Sequence, residues 1–295
     1  MRPVDLVKLI ALMELTNGTP DMMVGLIDGP VAVNHPGLAG ASIRQLPGKL
    51  GGTCTQAGST ACLHGTFVAG ILCAARSSSA APAICPNCTL LVRPIFAETT
   101  LGTGQLPSAT PEDLAAAIIE CIEANACVIN LSSALADPAS TGHRELTEAL
   151  DYALQRGVLV VAAAGNQGIL GSSTITRHPW VIPVVAYDRW GRLIQYSNLG
   201  NSIGRRGLGA PGDDITSLGA AGAPLTLSGT SVATPFVTGT IALLWSAFPA
   251  ATAAEVRGAV IYAAAPRRTT VVPPLLDAWA AYQVMLATHV RRRMP

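Results

Sequence analysis

The chain has 295 residues, a net charge of +1, 49% hydrophobic residues and 13% charged residues. This hydrophobic share excludes a disordered chain. The nearly neutral charge excludes nucleic acid as the main partner, because phosphate binding needs a basic surface. No uninterrupted apolar run reaches bilayer-spanning length, and the first residues show no signal-peptide pattern. We therefore expect a soluble cytoplasmic protein without a membrane partner.

The N-terminal part predicts a helix followed by a buried strand. Residues 1–20 contain an apolar pattern of helical period, interrupted by a few charged residues. Residues 22–28 form an apolar run that ends in Asp28, and Gly29-Pro30 stops the run. Open α/β sheets place functional groups at the carboxyl ends of their strands, so Asp28 is a candidate site residue. The alternative is an aspartate that caps a turn.

A histidine follows the next loop. Residues 51–63 are rich in Gly, Ser, Thr and Cys and predict a loop, whereas residues 67–75 have a helical pattern. His64 is therefore expected at the start of a buried helix, and Gly65 beside it permits close backbone approach. A single histidine in such a place is more often structural than functional.

Strands and helices alternate through the rest of the chain. Apolar runs predict strands at 89–95, 127–131, 158–164 and 181–186, with shorter ones at 194–197 and 215–217. Helical patterns lie at 111–124, 142–156, 231–248, 252–264 and 276–290. This alternation predicts an α/β fold of three layers, with a largely parallel central sheet and helices on both faces. We expect one domain over residues 1–295, with an N-terminal helix in 1–20 and a C-terminal helix and basic tail in 276–295.

Ser231 lies at the predicted N-terminus of a buried helix. Unpaired N–H groups and the positive end of the helix dipole favour an oxyanion there, although the serine could also merely cap the helix. Together with Asp28 and His64 it supplies the groups for acyl transfer. The serine attacks a carbonyl, the histidine moves its proton, and the aspartate orients the imidazole. Asn166, after a buried strand, could donate to the oxyanion.

Four short blocks resemble the signature motifs of the subtilisin-like serine proteases and occur in that family's order. They are Asp28-Gly29, residues 64–70 (HGTFVAG), residues 163–166 (AAGN) and residues 228–235 (SGTSVATP). The resemblance implies a subtilisin-like three-layer fold and peptide-bond hydrolysis through an acyl-enzyme. It also implies catalytic roles for Asp28, His64 and Ser231, and places Asn166 in the oxyanion hole.

The resemblance implies a peptide or protein substrate bound as an added β-strand. Residues 128–132 resemble the strand that pairs with substrate, and residues 132–134 and 162–165 would line the two sides of the cleft. The expected substrate-binding residues are Ser132, Ser133, Ala134, Ala163, Ala164 and Gly165. The family normally has glycines where Ser133 and Ala134 stand, so the pocket is expected to be narrower or differently shaped. The preferred substrate residue and the oligomeric state stay open.

A finer resemblance concerns peptide maturation. The segments at 28–30 (DGP) and 34–37 (NHPG) resemble the protease domains that process cyanobactin-type ribosomal peptides. Only 27 residues precede Asp28, where secreted members carry a signal peptide and pro-domain. We expect a processing endopeptidase that removes a leader from a ribosomally made precursor. The alternatives are a peptide macrocyclase, disfavoured because no inserted helix pair is visible between His64 and Thr89, and a general intracellular subtilase.

The seven cysteines leave several alternatives open. Cys85-Pro-Asn-Cys88 could be a redox site, half a zinc site or a local disulfide. No second CxxC completes a zinc site, and a strand-like run follows the motif, so a structural role is favoured. Calcium is common in the resembled family, but Asp213-Asp214 is only a pair of acids. We expect no metal and no cofactor, and little effect of a chelator.

Overall fold

The computed structural model describes residues 2–76, 80–98, 109–132, 143–263 and 268–293. The strands in these ranges are β1 (Met23–Asp28), β2 (Ser42–Gln45), β3 (Thr89–Pro94), β4 (Val128–Leu131), β5 (Leu159–Ala163), β6 (Ile182–Tyr187), β7 (Leu208–Pro211), β8 (Ile215–Leu218) and β9 (Pro224–Leu227). The helices are α1 (Pro3–Leu6), α2 (Ile10–Leu15), α3 (Thr60–Cys73), α4 (Pro111–Glu123), α5 (Arg144–Arg156), α6 (Thr174–Arg177), α7 (Asn201–Arg206), α8 (Thr230–Ala247), α9 (Ala253–Tyr262) and α10 (Ala278–Arg293).

The central sheet of the described chain has seven strands in the order β2-β3-β1-β4-β5-β6-β7. All neighbouring strands in it are parallel, and β8 and β9 form a separate antiparallel pair. The chain starts the sheet at β1, extends it on one side through β3 and β2, and then crosses to β4. The carboxyl ends of β1 and β4 therefore flank a switch point, which is where open parallel sheets form their clefts.

The sheet is covered on both faces, as predicted. Leu26 of β1 packs into the core that contains α3, α8, α9 and α10. Its neighbour Ile27 points to the opposite face and packs with α4 and α5. Successive strand residues alternate between faces, so two apolar layers on a parallel sheet require runs that are apolar throughout. This confirms the predicted three-layer α/β fold.

Several predicted elements differ from the structure. The single N-terminal helix is two short helices, α1 and α2, because Lys8 between them has φ +52° and leaves the right-handed helical region. Helix α3 begins at Thr60, so His64 lies one turn inside it rather than at its start. Residues 194–197 do not form a strand. Strands β2, β7 and β9 and helices α6 and α7 were not predicted.

The helices lack membrane-spanning character. Within the described ranges, none is both long enough and apolar enough to cross a bilayer.

Candidate active site

Asp28, His64 and Ser231 meet above the carboxyl end of the central sheet. Asp28 is the last residue of β1, His64 lies in α3, and Ser231 is the second residue of α8. His64 Nδ1 is 2.7 Å from Asp28 Oδ1, and His64 Nε2 is 3.0 Å from Ser231 Oγ. The structure therefore brings the three predicted residues into one hydrogen-bonded chain.

The environment of Asp28 sets the tautomer of the imidazole. Asp28 is completely buried, and its Oδ1 accepts the Gly29 N–H at 2.7 Å as well as facing His64. Because a carboxylate only accepts hydrogen bonds, the ring proton lies on Nδ1. Nε2 is then unprotonated and can accept the hydroxyl proton of Ser231, which is the arrangement that a general base requires.

Two glycines allow α3 to approach the loop after β1. A Cβ atom on Gly65 would collide with the carbonyl oxygen of Gly29, and one on Gly29 would collide with that of Ala61. The two backbones are in direct contact there, which brings His64 within hydrogen-bond distance of Asp28. The predicted close approach at Gly65 is therefore present.

Asn166 lies beside the serine, on the loop that follows β5. Its Oδ1 accepts the backbone N–H of Thr230 at 2.9 Å, while the Thr230 hydroxyl accepts the Gly165 N–H at 3.1 Å. A Cβ on Gly229 would lie 3.2 Å from Asn166 Nδ2 and 3.5 Å from Ser231 Oγ, so the amide nitrogen and the hydroxyl both border the space beside Gly229. With its oxygen held by the backbone, the amide can present N–H to an oxygen bound beside Ser231.

Asn198 holds the same loop and was missed from the sequence. Its Oδ1 accepts the backbone N–H groups of Gln167 at 3.0 Å and Ile169 at 3.1 Å, and its Nδ2 donates to Gln167 Oε1 at 2.7 Å. Its own N–H donates to Gly165 O at 2.9 Å. These partners are distant in sequence, so no local pattern marks Asn198.

The expected substrate-binding residues fall into two groups. Ser132 follows β4, and its hydroxyl accepts from Asn130 Nδ2 at 2.7 Å; Asn130 in turn accepts from the Thr238 hydroxyl of α8 at 2.9 Å. Ala163, Ala164 and Gly165 end and follow the neighbouring strand β5 and are buried. These residues thus lie at adjacent strand ends, on the same edge as the serine. Ser133 and Ala134 lie outside the described residues.

The cysteines separate into a disulfide and buried thiols. Cys54 and Cys62 form a disulfide, whereas Cys85 and Cys88 are free and buried. The hydrogen bond between the latter two, followed by burial, raises the pKa of Cys85, and the same bond lowers the pKa of Cys88. In the described chain, one group of possible metal ligands lies close together: Cys54, Cys62 and Glu98. None of these three was singled out in the sequence as a ligand.

A buried aspartate, a histidine and a serine in one hydrogen-bonded chain form the arrangement of a triad hydrolase. The subtilase family model, Peptidase S8, matches residues 19–279. The chain belongs to the subtilase family.

Characterised relatives agree with this membership. A thermophilic serine proteinase of Bacillus sp. (strain AK1) is 34% identical over 242 residues, which are 79% of this chain and 54% of that protein. Subtilisin E of Bacillus subtilis (strain 168) is 32% identical over 244 residues, 80% of this chain and 58% of that protein. The chain thus spans little more than half the length of these relatives.

Solved structures extend the comparison. A mutant of the protease domain of PatA superposes with a TM-score of 0.84 at 30% identity, covering 92% of this chain and 97% of that one. The prenylagaramide maturation protease PagA superposes with a TM-score of 0.81 at 30% identity, and the match covers 94% of this chain and 98% of that one. The PatG macrocyclase in complex with peptide superposes with a TM-score of 0.82 over 97% of this chain and 98% of that one. Its identity is only 20%, so this likeness shows the fold alone.

Proposed function

We propose that the protein is a serine endopeptidase that removes a leader from a ribosomally made precursor peptide. The observation that carries the proposal is the continuous hydrogen-bonded chain from Asp28 through His64 to Ser231, with Asn166 beside the serine. Similarity to a maturation protease, PagA, supports the precursor as substrate. General protein turnover by a subtilase is the broader alternative.

In the proposed reaction, Ser231 Oγ attacks the peptide carbonyl while His64 Nε2 takes the hydroxyl proton. The imidazolium is stabilised by Asp28, and the carbonyl oxygen becomes an oxyanion that accepts N–H from Asn166 Nδ2 and the Ser231 backbone. His64 then returns the proton to the leaving amine, which leaves an acyl group on Ser231. Water, deprotonated by His64, attacks that ester and releases the carboxylic acid.

The substrate is proposed to bind as an extended strand along the edge formed by β4 and β5. Ser132 and Ala163 stand at the adjacent ends of those strands, where backbone hydrogen bonds could align the scissile carbonyl with Ser231. Ser133 and Ala134 are proposed to continue the wall on the β4 side. Backbone pairing tolerates many sequences, so pockets for the side chains would set the preference.

The cytoplasm is the proposed compartment. Five cysteines of the described chain, among them Cys73, Cys121 and Cys127, are free thiols. Free thiols persist in reducing compartments, whereas secreted proteins usually pair their cysteines, and here only Cys54 and Cys62 of the seven are paired. Subcellular fractionation of the native host would test this placement directly.

Hydrolysis is proposed over macrocyclisation. Macrocyclases of this fold shield the acyl-enzyme from water, and we expected an inserted helical lid between His64 and Thr89 in such an enzyme. The described residues between α3 and β3, 74–76 and 80–88, contain no helix. Water is therefore the proposed acceptor of the acyl group.

A diverse library of linear precursor peptides, digested and read by mass spectrometry, tests the proposal. The wild type should give linear fragments whose summed mass exceeds that of the precursor by one water, and Ser231→Ala should give none. Fragments that persist with Ser231→Ala would contradict the serine mechanism. A fragment lighter by one water than the linear fragment of the same sequence would assign cyclisation instead, and no cleavage of any peptide would overturn the endopeptidase.

A further inference from the structure

We propose that Cys54, Cys62 and Glu98 form a binding site for a zinc-class divalent cation when the Cys54–Cys62 disulfide is reduced. The two sulfurs and a carboxylate oxygen of Glu98 all lie within 4.8 Å of one another. Ligand atoms around a tetrahedral zinc ion lie about 3.5 Å apart, as its bonds to sulfur and oxygen are about 2.0–2.3 Å long. Reduction would let the sulfurs separate toward this spacing.

Glu98 is already oriented as a ligand. Its Oε1 lies 2.5 Å from Cys62 Sγ and accepts the backbone N–H groups of Thr55 at 2.7 Å and Gln56 at 3.0 Å. The Thr55 hydroxyl donates to Oε2. Outer hydrogen bonds of this kind fix the orientation of metal-binding carboxylates.

A phosphine can reduce the Cys54–Cys62 disulfide. A phosphine breaks the S–S bond, supplies two electrons and becomes a phosphine oxide with oxygen from water, while the two sulfurs gain protons. Cation binding then displaces both thiol protons to solvent. Zinc accepts both soft thiolate and hard carboxylate ligands, so two thiolates and one carboxylate suit it. Cys54 and Glu98 are partly exposed, which leaves room for a water as the fourth ligand.

The site lies between the segments that carry Asp28 and His64. The Cys54 N–H donates to Val31 O at 2.9 Å, and Val31 closely follows Asp28. Cys62 lies in the first turn of α3, just before His64. In oxidising conditions the disulfide would therefore link the loop beside Asp28 to the helix that carries His64. In reducing conditions a bound cation would make the same link.

Cobalt(II) is the probe for the full-length protein, reduced with tris(carboxyethyl)phosphine under anaerobic conditions. Wild type should bind one ion per chain with thiolate charge-transfer absorption, and zinc should displace it. Cys54→Ser/Cys62→Ser should abolish the absorption, and Glu98→Gln should weaken affinity at least about tenfold. Cys85→Ser/Cys88→Ser is the matched control and should bind as wild type does.

Three results would overturn the proposal: no thiolate absorption in reduced wild type, absorption that survives Cys54→Ser/Cys62→Ser, or unchanged affinity in Glu98→Gln. Should the double variant fail to fold, a measurement on the wild type decides. Zinc should slow alkylation of Cys54 and Cys62 by iodoacetamide, followed by peptide mass spectrometry. Equal alkylation rates at these two cysteines with and without zinc would contradict the site.

Discussion

The proposed catalytic side chains are shielded to different degrees. Asp28 is fully buried, His64 is 7% exposed and Ser231 is 9% exposed, whereas Asn166 lies open to solvent. Hydrogen bonds between buried groups are stronger than the same bonds in water. The buried Asp28 therefore orients the imidazole of His64. The more exposed end of this hydrogen-bonded series, at Ser231 and Asn166, is where a substrate carbonyl can enter.

Asn166→Ala removes the proposed side-chain donor of the oxyanion hole. We expect kcat to fall by about 10²–10³ with little change in KM, because the bond forms mainly in the transition state. That magnitude is the one measured for the oxyanion-hole asparagine of subtilisin, to which this chain is related. Steady-state kinetics on a cleaved peptide check it. A change confined to KM would contradict the role.

Asn198→Ala should act on Asn166 through the loop. Two backbone N–H groups on exposed residues lose their acceptor, which should lower the free energy of unfolding by about 0.5–1.5 kcal/mol. We expect kcat to fall while KM changes less. Asn198→Asp keeps the acceptor oxygen and should restore part of kcat. Chemical denaturation and kinetics of both variants measure the effects. Equal kcat for wild type and Asn198→Ala would remove the positioning role.

The sequence was sufficient to propose some of the candidate site residues and not others. Asp28, His64 and Ser231 lie in short motifs in which the adjacent residues also have a recognisable structural role. Examples are the glycines that follow Asp28 and His64. Asn198 and Asn130 have no such context. Their partners lie on other elements, for example Thr238 on α8 for Asn130, so only the folded chain assigns them.

At the scale of elements, the contact between α3 and the loop after β1 determines the distance from His64 to Asp28. Gly65→Ala should push these backbones apart, because the new Cβ meets the Gly29 carbonyl. We expect a fall in kcat of about 10²-fold, since misplacement by about 1 Å costs that much, and destabilisation of about 1–3 kcal/mol.

Gly258→Ala is the matched control for that substitution. Gly258 is also in a helix interior, in α9, but a Cβ there would meet nothing within 4 Å. The change should leave kcat unaltered and stabilise the protein by about 0.5–1 kcal/mol. Kinetics and thermal melts of both variants measure the contrast. Equal kcat values for the two variants would show that the close approach at Gly65 has no catalytic consequence.

Elements were predictable where the apolar pattern was strong. The buried strands β1, β3, β4, β5 and β6 were recognised because both faces are covered and their sequences are apolar throughout. Strand β7 contains Gly209 and Pro211, which weaken strand propensity, and β2 is largely exposed. The start of α3 was missed because its first turn reads as the end of a loop rich in small polar residues.

On the scale of the whole molecule, the parallel sheet brings together residues that are far apart in sequence. His64 and Ser231 are separated by 167 positions yet share a hydrogen bond. This follows from parallel strands whose carboxyl ends meet at one edge. The fold class was predictable from the alternation of strands and helices alone. The strand order needed the three-dimensional structure, because no local sequence pattern indicates that β1 pairs with both β3 and β4.

Stability should also depend on two core thiols. Burial raises the pKa of Cys73 and of Cys121 from 9.0 to about 12. Below pH 9 both thiols are neutral in the folded and unfolded chains. Above it the unfolded chain loses protons first, so the free energy of unfolding should decrease as the pH rises from 9 toward 12.

Thermal melts across this pH range check the prediction. Wild type is compared with Cys73→Ser/Cys121→Ala, in which the serine can still donate to Ala69 O as Cys73 does. The double variant should show a shallower decrease in Tm above pH 9, since other titrating groups are common to both proteins. Parallel pH profiles would show that these thiols do not contribute.

The central claim is that Asp28, His64 and Ser231 act together as a nucleophilic triad. Labelling with a fluorophosphonate, followed by peptide mapping, tests it without knowledge of the substrate. We predict a single phosphonyl adduct on Ser231, formed orders of magnitude more slowly in a folded His64→Ala variant and absent in Ser231→Ala. Failure of wild type to form that adduct, or labelling of Ser231 at an unchanged rate without His64, would contradict the triad.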